Sequence, residues 1–317
     1  MARPKSATST GSDTNETLDF PYLGVTALAR NGVHMSEYEF VGYGQDGAVV
    51  TITFDRPERM NAIGTTMSRE LIDAWARFRD DDTALVAVLT GRGPDAFCAG
   101  GDLKGAIEGD SVVPTAEEEI GAHARGERPG FIGPSRWTNI YKPTIAAVNG
   151  IAYAGGLEWV CWTDMAIADE HATFGVTCRR WNIGLGDGGT QRLPRIVGFR
   201  TAMELIITGR VIDAQEAKEI GLINEVAATG EALPRAQELA LTIASLPQSA
   251  IRTDKEAVVR GFARPLDEGL RIEAECFTRL IGDPEMIEGL RRFVERDHPD
   301  LRDEEPSTPG IARPRWS

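Results

Sequence analysis

The chain combines one alternating segment with longer apolar runs. In Val49–Phe54 valine, isoleucine and phenylalanine alternate with two threonines, which predicts a strand with one buried face. Met67–Phe78 carries apolar residues at helical spacing and predicts an amphipathic helix. Ala84–Leu89 is apolar throughout, which is typical of a strand buried on both faces. These elements predict an α/β fold.

Later segments extend the same alternation. Thr144–Val148 and Met165–Ala168 predict strands with a helix at Glu158–Thr163 between them, and helical patterns dominate from Ala232 onward. We therefore expect an α/β core over residues 37–230 and a helical region over residues 231–300. The polar segments 1–36 and 301–317 are predicted to be a disordered N-terminal tail and a loose C-terminal tail. Residues 105–136 lack a period and predict a mobile helix and loop that could cover a ligand.

Composition narrows the possible functions. With 317 residues, 42% hydrophobic residues and 26% charged residues, the chain resembles an ordinary globular protein. A net charge of −14 argues against nucleic acid and anionic membranes as partners. We see no apolar run of the roughly 18 residues that a membrane span needs, and no secretory signal.

The four cysteines are widely spaced and form no metal-ligand cluster, so we expect no metal site, reduced thiols and a cytoplasmic location.

Two glycine-rich turns carry the candidate chemistry. Thr144–Glu158 is an apolar segment that breaks at glycines and then opens a helix at Gly155-Gly156, with Glu158 in its first turn. Unpaired N–H groups at a helix start suit an oxyanion, and a glutamate one turn further on suits proton transfer. Ala99–Asp102 is a second turn of this kind. A Gly-rich strand-to-helix turn with a solvated glutamate is the alternative interpretation.

One motif is misleading. Gly184–Gly189 satisfies the GxGxxG pattern of dinucleotide-binding proteins. It does not follow a strand, as the phosphate-binding turn of that fold requires. We therefore do not expect a nucleotide cofactor here.

Seven segments of the chain follow a recognisable pattern. They are FDRPERMNAI (54–63), FCAGGDLKG (97–105), KPTIAAVNGIAYAGGLE (142–158), ATFG (172–175), GDGGTQRLPRIVG (186–198), TGRVIDAQEAKEIGLINEV (208–226) and EGLRRFVER (288–296). Together they resemble the crotonase family of enoyl-CoA hydratases and isomerases, in the family's order and approximate spacing, and they span about residues 38–296.

The resemblance implies a spiral of ββα repeats with a C-terminal helical trimerisation region, assembled as a homotrimer or as a hexamer of two trimers. It implies an acyl-CoA thioester as the substrate and no cofactor beyond the coenzyme A that the substrate carries. The family's two oxyanion-hole N–H groups correspond to Gly101 and Gly155. This agrees with the interpretation of both turns as anion sites, and one such donor can lower a barrier by about 3 kcal/mol.

Contacts with the substrate or its CoA portion are also implied. The matching positions are Arg56, Ala62, Ala99, Asp102, Lys104, Cys178, Phe293 and Arg296. Arg56 and Lys104 correspond to cations near the CoA phosphates, whereas Phe293 and Arg296 correspond to residues that reach the adenine of a neighbouring subunit. For these four, an exposed cation or a core aromatic is an equally good interpretation.

The catalytic acids depart from the hydratase pattern. Glu158 matches the first of its two glutamates, but the second position falls on Cys178. A thiol does not readily replace a carboxylate in activating water, so we favour a buried hydrophobic role for Cys178 over a catalytic one. Asp187 offers a replacement, since related hydratases usually carry a small residue there. We hypothesise that Asp187 enters the acyl pocket and pairs with Glu158; the alternative is a helix cap at Thr190.

Three functions are then open. The first is hydration of a 2-enoyl-CoA with Glu158 moving the α-carbon proton. The second is Δ3–Δ2 isomerisation or carbon–carbon bond hydrolysis, which the Cys178 departure favours because isomerisation needs a single strong carboxylate. The third, less favoured, is a non-catalytic acyl-CoA-binding protein.

Overall fold

A computed structural model describes residues 38–109, 117, 120–122 and 129–295. The predicted tails at 1–36 and 301–317 lie outside the described residues, as do 110–116, 118–119 and 123–128 within the region 105–136. Strands form two sheets. The larger contains β1 (Val41–Asp46), β2 (Val49–Phe54), β3 (Val86–Gly91), β5 (Thr144–Val148), β7 (Met165–Asp169) and β10 (Glu225–Ala227); the smaller contains β4 (Ala96–Cys98), β6 (Ile151–Tyr153), β8 (Thr173–Gly175) and β9 (Val211–Asp213).

Helices occupy the connections and the C-terminal region. In chain order they are α1 (Thr65–Asp80), α2 (Leu103–Glu108), α3 (Gly155–Trp162), α4 (Gly189–Val197), α5 (Phe199–Thr208), α6 (Ala214–Glu219), α7 (Ala232–Ala244), α8 (Gln248–Gly261), α9 (Leu266–Thr278) and α10 (Pro284–Glu295), with 3-10 turns at Pro57–Arg59 and Thr177–Trp181. The predicted helical C-terminal region is thereby confirmed. Within the described residues, no helix is both long and apolar enough to cross a membrane.

Consecutive strands alternate between the two sheets. The chain passes from β3 to β4, from β5 to β6 and from β7 to β8, each time leaving the large sheet for the small one. Within each sheet these strands pair in parallel, which requires the chain to cross over between them. The result is the predicted spiral of ββα repeats. It stacks the chain segments that follow β4 and β6, and those segments carry the two glycine turns.

The core has two parts, one with the aromatic residues and one rich in valine and alanine. The aromatic part includes Trp159, which stacks on Trp75 with ring centroids 6.1 Å apart and meets Phe54 edge-on. Trp159 is fully buried. Helix α3, which carries Glu158, is thus anchored in the core by its next residue.

The third strand is displaced by two residues from the prediction. It runs from Val86 to Gly91, rather than over Ala84–Leu89, because Ala84 N donates to Asp81 O in the turn that ends α1. Its burial on both faces is confirmed, since every residue of the strand is buried.

Candidate active site

The first glycine turn links β4 to α2. Gly100 has φ of 96°, a left-handed conformation that favours glycine. Ile63 N donates to Gly100 O at 2.8 Å and Asp102 N donates to Ile63 O at 3.0 Å, which fixes the turn on both sides. Within the described part of the chain, the N–H of Gly101 between them finds no acceptor. The turn therefore offers one free donor.

The second turn links β6 to α3. Ala154 precedes the helix with φ of 49° and ψ of −113°, an unusual conformation for a non-glycine residue, and its N–H donates to Gly175 O at 2.9 Å. Gly156 packs so tightly on β4 that a methyl group there would lie 2.0 Å from Cys98 O. Gly155 begins the helix, and its N–H likewise donates to no described residue.

The two turns lie against each other. A methyl group on Gly100 would lie 2.8 Å from Gly155 N, and one on Gly155 would lie 3.1 Å from Gly100 Cα. Only glycine permits this close approach. The structure therefore brings the predicted donors Gly101 and Gly155 together, with the positive end of the α3 dipole beside them.

Glu158 lies one turn into α3 and is only 3% exposed. Its Oε1 accepts hydrogen bonds from Asp187 N and Gly189 N, both at 2.8 Å, whereas its Oε2 accepts none from the residues that the structure describes. Burial, followed by the negative charge of Asp187, raises the pKa of Glu158 to about 7 in spite of these hydrogen bonds. The carboxyl group can therefore gain or lose a proton near neutral pH.

Asp187 is also buried, with 5% exposure, and is held by one oxygen. Its Oδ1 accepts hydrogen bonds from Phe131 N at 2.8 Å, from Ile132 N at 3.3 Å and from Ser135 Oγ. We find no described donor to its Oδ2. The alternative role as a helix cap is not observed, because α4 starts after Gly188 and has no side-chain cap.

Arg192 supplies a positive charge behind the two carboxylates. Its Nη1 donates to Asp187 O at 3.0 Å, and Gly188 between the two residues has φ of 104°, a left-handed conformation that favours glycine. The charges of Glu158 and Asp187 favour the ionised guanidinium, although burial lowers the pKa of Arg192. One cation thus partly offsets two buried acids.

Cys178 lies in a short 3-10 turn and is 6% exposed. Burial raises the pKa of its thiol, and the charge of Glu158 adds to this effect. A protonated, buried thiol is a poor base. This agrees with the interpretation of Cys178 as a small hydrophobic residue beside the site.

Arg56 and Asp102 pair with each other. Arg56 Nη1 lies 2.6 Å from Asp102 Oδ2, and Asp102 Oδ1 accepts from Gly105 N at 2.9 Å as the cap of α2. Burial alone would raise the pKa of Asp102, but the Gly105 hydrogen bond and the Arg56 charge lower it below the ordinary value. Both residues therefore stabilise the Gly101 turn.

The other predicted contact residues are dispersed. Ala62 is 8% exposed and Ala99 is half-buried, with its N–H donating to Met60 O. Lys104 is exposed on the first turn of α2, and Phe293 is 78% exposed on α10. Arg296 lies outside the described residues.

Sequence reasoning missed Ile132. This residue belongs to Gly130–Ser135, in the region predicted as a mobile loop, yet it is 5% exposed. A methyl group on Gly155 would lie 2.6 Å from Ile132 Cδ1, and one on Gly101 would lie 3.9 Å from Ile132 Cγ2. The glycine, proline and serine residues around a single isoleucine were the available signal for a tight turn.

Metal ligation is unsupported in the described residues, where histidine, cysteine and acidic side chains form no group of three.

Comparisons with known proteins identify the family of the chain. The family model for enoyl-CoA hydratase/isomerase matches residues 44–304. A probable mitochondrial enoyl-CoA hydratase 2 of Arabidopsis thaliana is 36% identical over 256 residues, covering 81% of this chain and 82% of the relative. The short-chain-enoyl-CoA hydratase of Clostridium acetobutylicum is 32% identical over 255 residues, covering 80% and 93%. The crystal structure of an enoyl-CoA hydratase from Bacillus anthracis superposes with a TM-score of 0.73 at 34% identity, covering 84% of this chain and 100% of that one.

Proposed function

The chain belongs to the enoyl-CoA hydratase/isomerase family, and on that premise we propose that it is a hydratase that adds water to a 2-enoyl-CoA thioester. One observation carries the proposal. Glu158 and Asp187 are two buried carboxylates, each held by hydrogen bonds to one oxygen while the other oxygen accepts none from the described residues. Hydration needs two such groups, one to take a proton from water and one to give a proton to carbon.

The glycine turns supply the electrostatic part of the proposed mechanism. The thioester oxygen accepts hydrogen bonds from Gly101 N and Gly155 N, whose N–H groups have no described acceptor. When water attacks the β-carbon, the electrons of the double bond move toward this oxygen and form an enolate. Fixed donors that need no reorganisation stabilise that charge, each by about 3 kcal/mol.

The two carboxylates then share the proton transfers. Asp187, ionised, accepts a proton from the attacking water as its oxygen bonds to the β-carbon. Glu158, protonated, gives its proton to the α-carbon and the carbonyl re-forms. The pKa of about 7 suits Glu158 to this exchange near neutral pH. The negative charge of Asp187 also favours the protonated form of Glu158.

Incubation with crotonyl-CoA and 3-hexenoyl-CoA in deuterated water tests this function. We expect hydration of crotonyl-CoA with one deuterium at the α-carbon of the product. Asp187→Asn should lower turnover by about 10²-fold, because the amide retains the size of the side chain but does not accept the proton. Unchanged turnover in Asp187→Asn would remove Asp187 from the mechanism.

Isomerisation is the second candidate, and Cys178 favours it. A buried thiol stands where the family pattern has a second glutamate, and an isomerase needs a single carboxylate to move a proton between carbons. Conversion of 3-hexenoyl-CoA without hydration of crotonyl-CoA would establish this function instead. Carbon–carbon bond hydrolysis in the same site is a further alternative. Absence of any reaction with tight acyl-CoA binding would indicate a binding protein.

We further propose a homotrimer or a hexamer of two trimers. Large apolar side chains on the C-terminal helices support this assembly because burial against another subunit would remove them from water. They include Val258, Phe262, Leu266, Phe277, Leu290 and Phe293. Light scattering coupled to size exclusion tests the mass.

In this assembly Phe293 and Arg296 would reach the adenine of a neighbour's CoA, and Lys104 would meet its phosphates. The four described free thiols suit a reducing compartment such as the cytoplasm.

A further inference from the structure

The segment Gly130–Ser135 forms a fixed wall beside the oxyanion donors. Asp187 Oδ1 accepts hydrogen bonds from three of its groups. On the other side, Ser68 Oγ donates to Phe131 O at 3.2 Å and accepts from Gly133 N at 2.8 Å. Trp159 Nε1 donates to Ile132 O at 3.2 Å. A segment held from α1, α3 and the Asp187 loop is rigid enough to define a pocket shape.

Close packing leaves this wall little room to move. Gly133 has φ of 95°, and a methyl group there would lie 3.0 Å from Leu71 Cβ. Gly130 has φ of 147°, and a methyl group there would lie 2.9 Å from Asp187 Oδ1. Between these glycines the backbone follows the core closely and turns the Ile132 side chain toward the glycine turns.

We propose that Ile132 sets the limit on substituents at the α-carbon of the substrate, an inference that rests on the proposed function. Its Cδ1 lies beside Gly155 and its Cγ2 lies beside Gly101. In the proposed mechanism the N–H groups of these two glycines donate hydrogen bonds to the thioester oxygen. The α-carbon is two bonds from that oxygen and therefore lies within van der Waals range of the same wall. An unbranched 2-enoyl group passes Ile132, whereas a methyl branch at the α-carbon collides with it.

The selectivity between an unbranched and a branched substrate tests the inference. We compare kcat/KM for crotonyl-CoA and 2-methylcrotonyl-CoA in the wild type, Ile132→Val and Ile132→Ala. The ratio of kcat/KM for 2-methylcrotonyl-CoA to that for crotonyl-CoA should rise about 10-fold or more in Ile132→Ala and by less in Ile132→Val. The milder Ile132→Val substitution keeps the test available if Ile132→Ala folds poorly. A ratio that stays the same in both variants would overturn the proposal.

Ile212→Ala provides a matched control. Ile212 is 2% exposed on β9, the outermost strand of the small sheet, so its truncation costs stability in a similar way. The selectivity ratio should not change in this variant. An equal shift in Ile212→Ala would show that general loosening causes the effect and would also overturn the proposal.

Ser135→Ala tests how the wall is held. Ser135 Oγ donates to Asp187 Oδ1 and acts as a positioning residue, so its loss should move the ratio in the same direction but by less than Ile132→Ala. A change in kcat for both substrates with an unchanged ratio would contradict this positioning role.

Failure of the proposed function can be told apart from failure of the inference. If the wild type hydrates neither substrate, calorimetry compares the binding of butyryl-CoA and 2-methylbutyryl-CoA. The same shift in Ile132→Ala would support the inference without hydratase activity, and equal affinities in both proteins would overturn it.

Discussion

Two turns of similar sequence end in acids with opposite behaviour. Gly100-Gly101-Asp102 and Gly155-Gly156-Leu157-Glu158 each place a glycine N–H at the candidate oxyanion hole and a buried carboxylate just after it. Asp102 faces Arg56 at 2.6 Å and has a lowered pKa. Burial and, after it, the like charge of Asp187 raise the pKa of Glu158 to about 7. The depth of burial and the sign of the neighbouring charge, rather than the turn, separate a structural acid from a candidate proton carrier.

The variant Glu158→Gln tests whether Glu158 is the proton carrier. The amide oxygen retains the hydrogen bonds from Asp187 N and Gly189 N, so the fold should persist, but the proton carrier is lost. We expect crotonyl-CoA turnover to fall by about 10³- to 10⁴-fold. Circular dichroism checks that the variant is folded. Retention of a tenth of wild-type turnover would refute the role of Glu158.

Asp102→Asn should produce the opposite pattern. The amide oxygen still caps α2 by accepting from Gly105 N, but Arg56 loses its buried carboxylate partner and keeps the exposed carboxylate of Glu58 at 3.7 Å and the carbonyl of Ala62 at 3.3 Å. Breaking such a pair should lower the free energy of unfolding by about 3–5 kcal/mol, while kcat of the folded enzyme should fall by less than about 10-fold. Urea denaturation measures the free energy of unfolding, and a turnover assay on the same preparation measures kcat. A large loss of kcat with normal stability would assign Asp102 to the chemistry.

The pH dependence of the free energy of unfolding tests the raised pKa of Glu158. The folded state holds the Glu158 proton more tightly than the unfolded state, since its pKa rises from 4.5 to about 7. Wild-type stability should therefore decline as pH rises through this window, whereas Glu158→Gln should lack that contribution. At pH 8 the variant should be more stable than the wild type by about 2–3 kcal/mol, with little difference at about pH 4.

Urea denaturation at both pH values, at equal protein concentration, provides this measurement. If the wild type is more stable than the variant at pH 8, the ionised form of Glu158 does not destabilise the folded state.

Local patterns predicted much of the framework. Alternation predicted β2, helical spacing predicted α1, and the glycine pattern predicted both turns together with the position of Glu158, while the family resemblance assigned the donors to Gly101 and Gly155. These features depend on residues close together in the chain, where backbone preferences are strong.

The wall around Ile132 could not be predicted in the same way. Asp187 accepts hydrogen bonds from residues more than 50 positions earlier in the sequence, and Trp159 Nε1 donates to Ile132 O, which is 27 positions earlier. No local period encodes such contacts, so the segment was predicted as part of a mobile region. Likewise, the pairing of Arg56 with Asp102 spans 46 positions, and no local pattern predicted it.

The pH dependence of crotonyl-CoA hydration tests the central claim most directly. If protonated Glu158 gives its proton to the α-carbon while Asp187 accepts one from water, kcat/KM should fall above about pH 7 as Glu158 loses its proton, approaching a tenfold decrease per pH unit. Stopped assays from pH 5.5 to 9 would measure it. A value of kcat/KM that rises through about pH 7 would contradict the account, because that profile requires a single ionised carboxylate acting as the base.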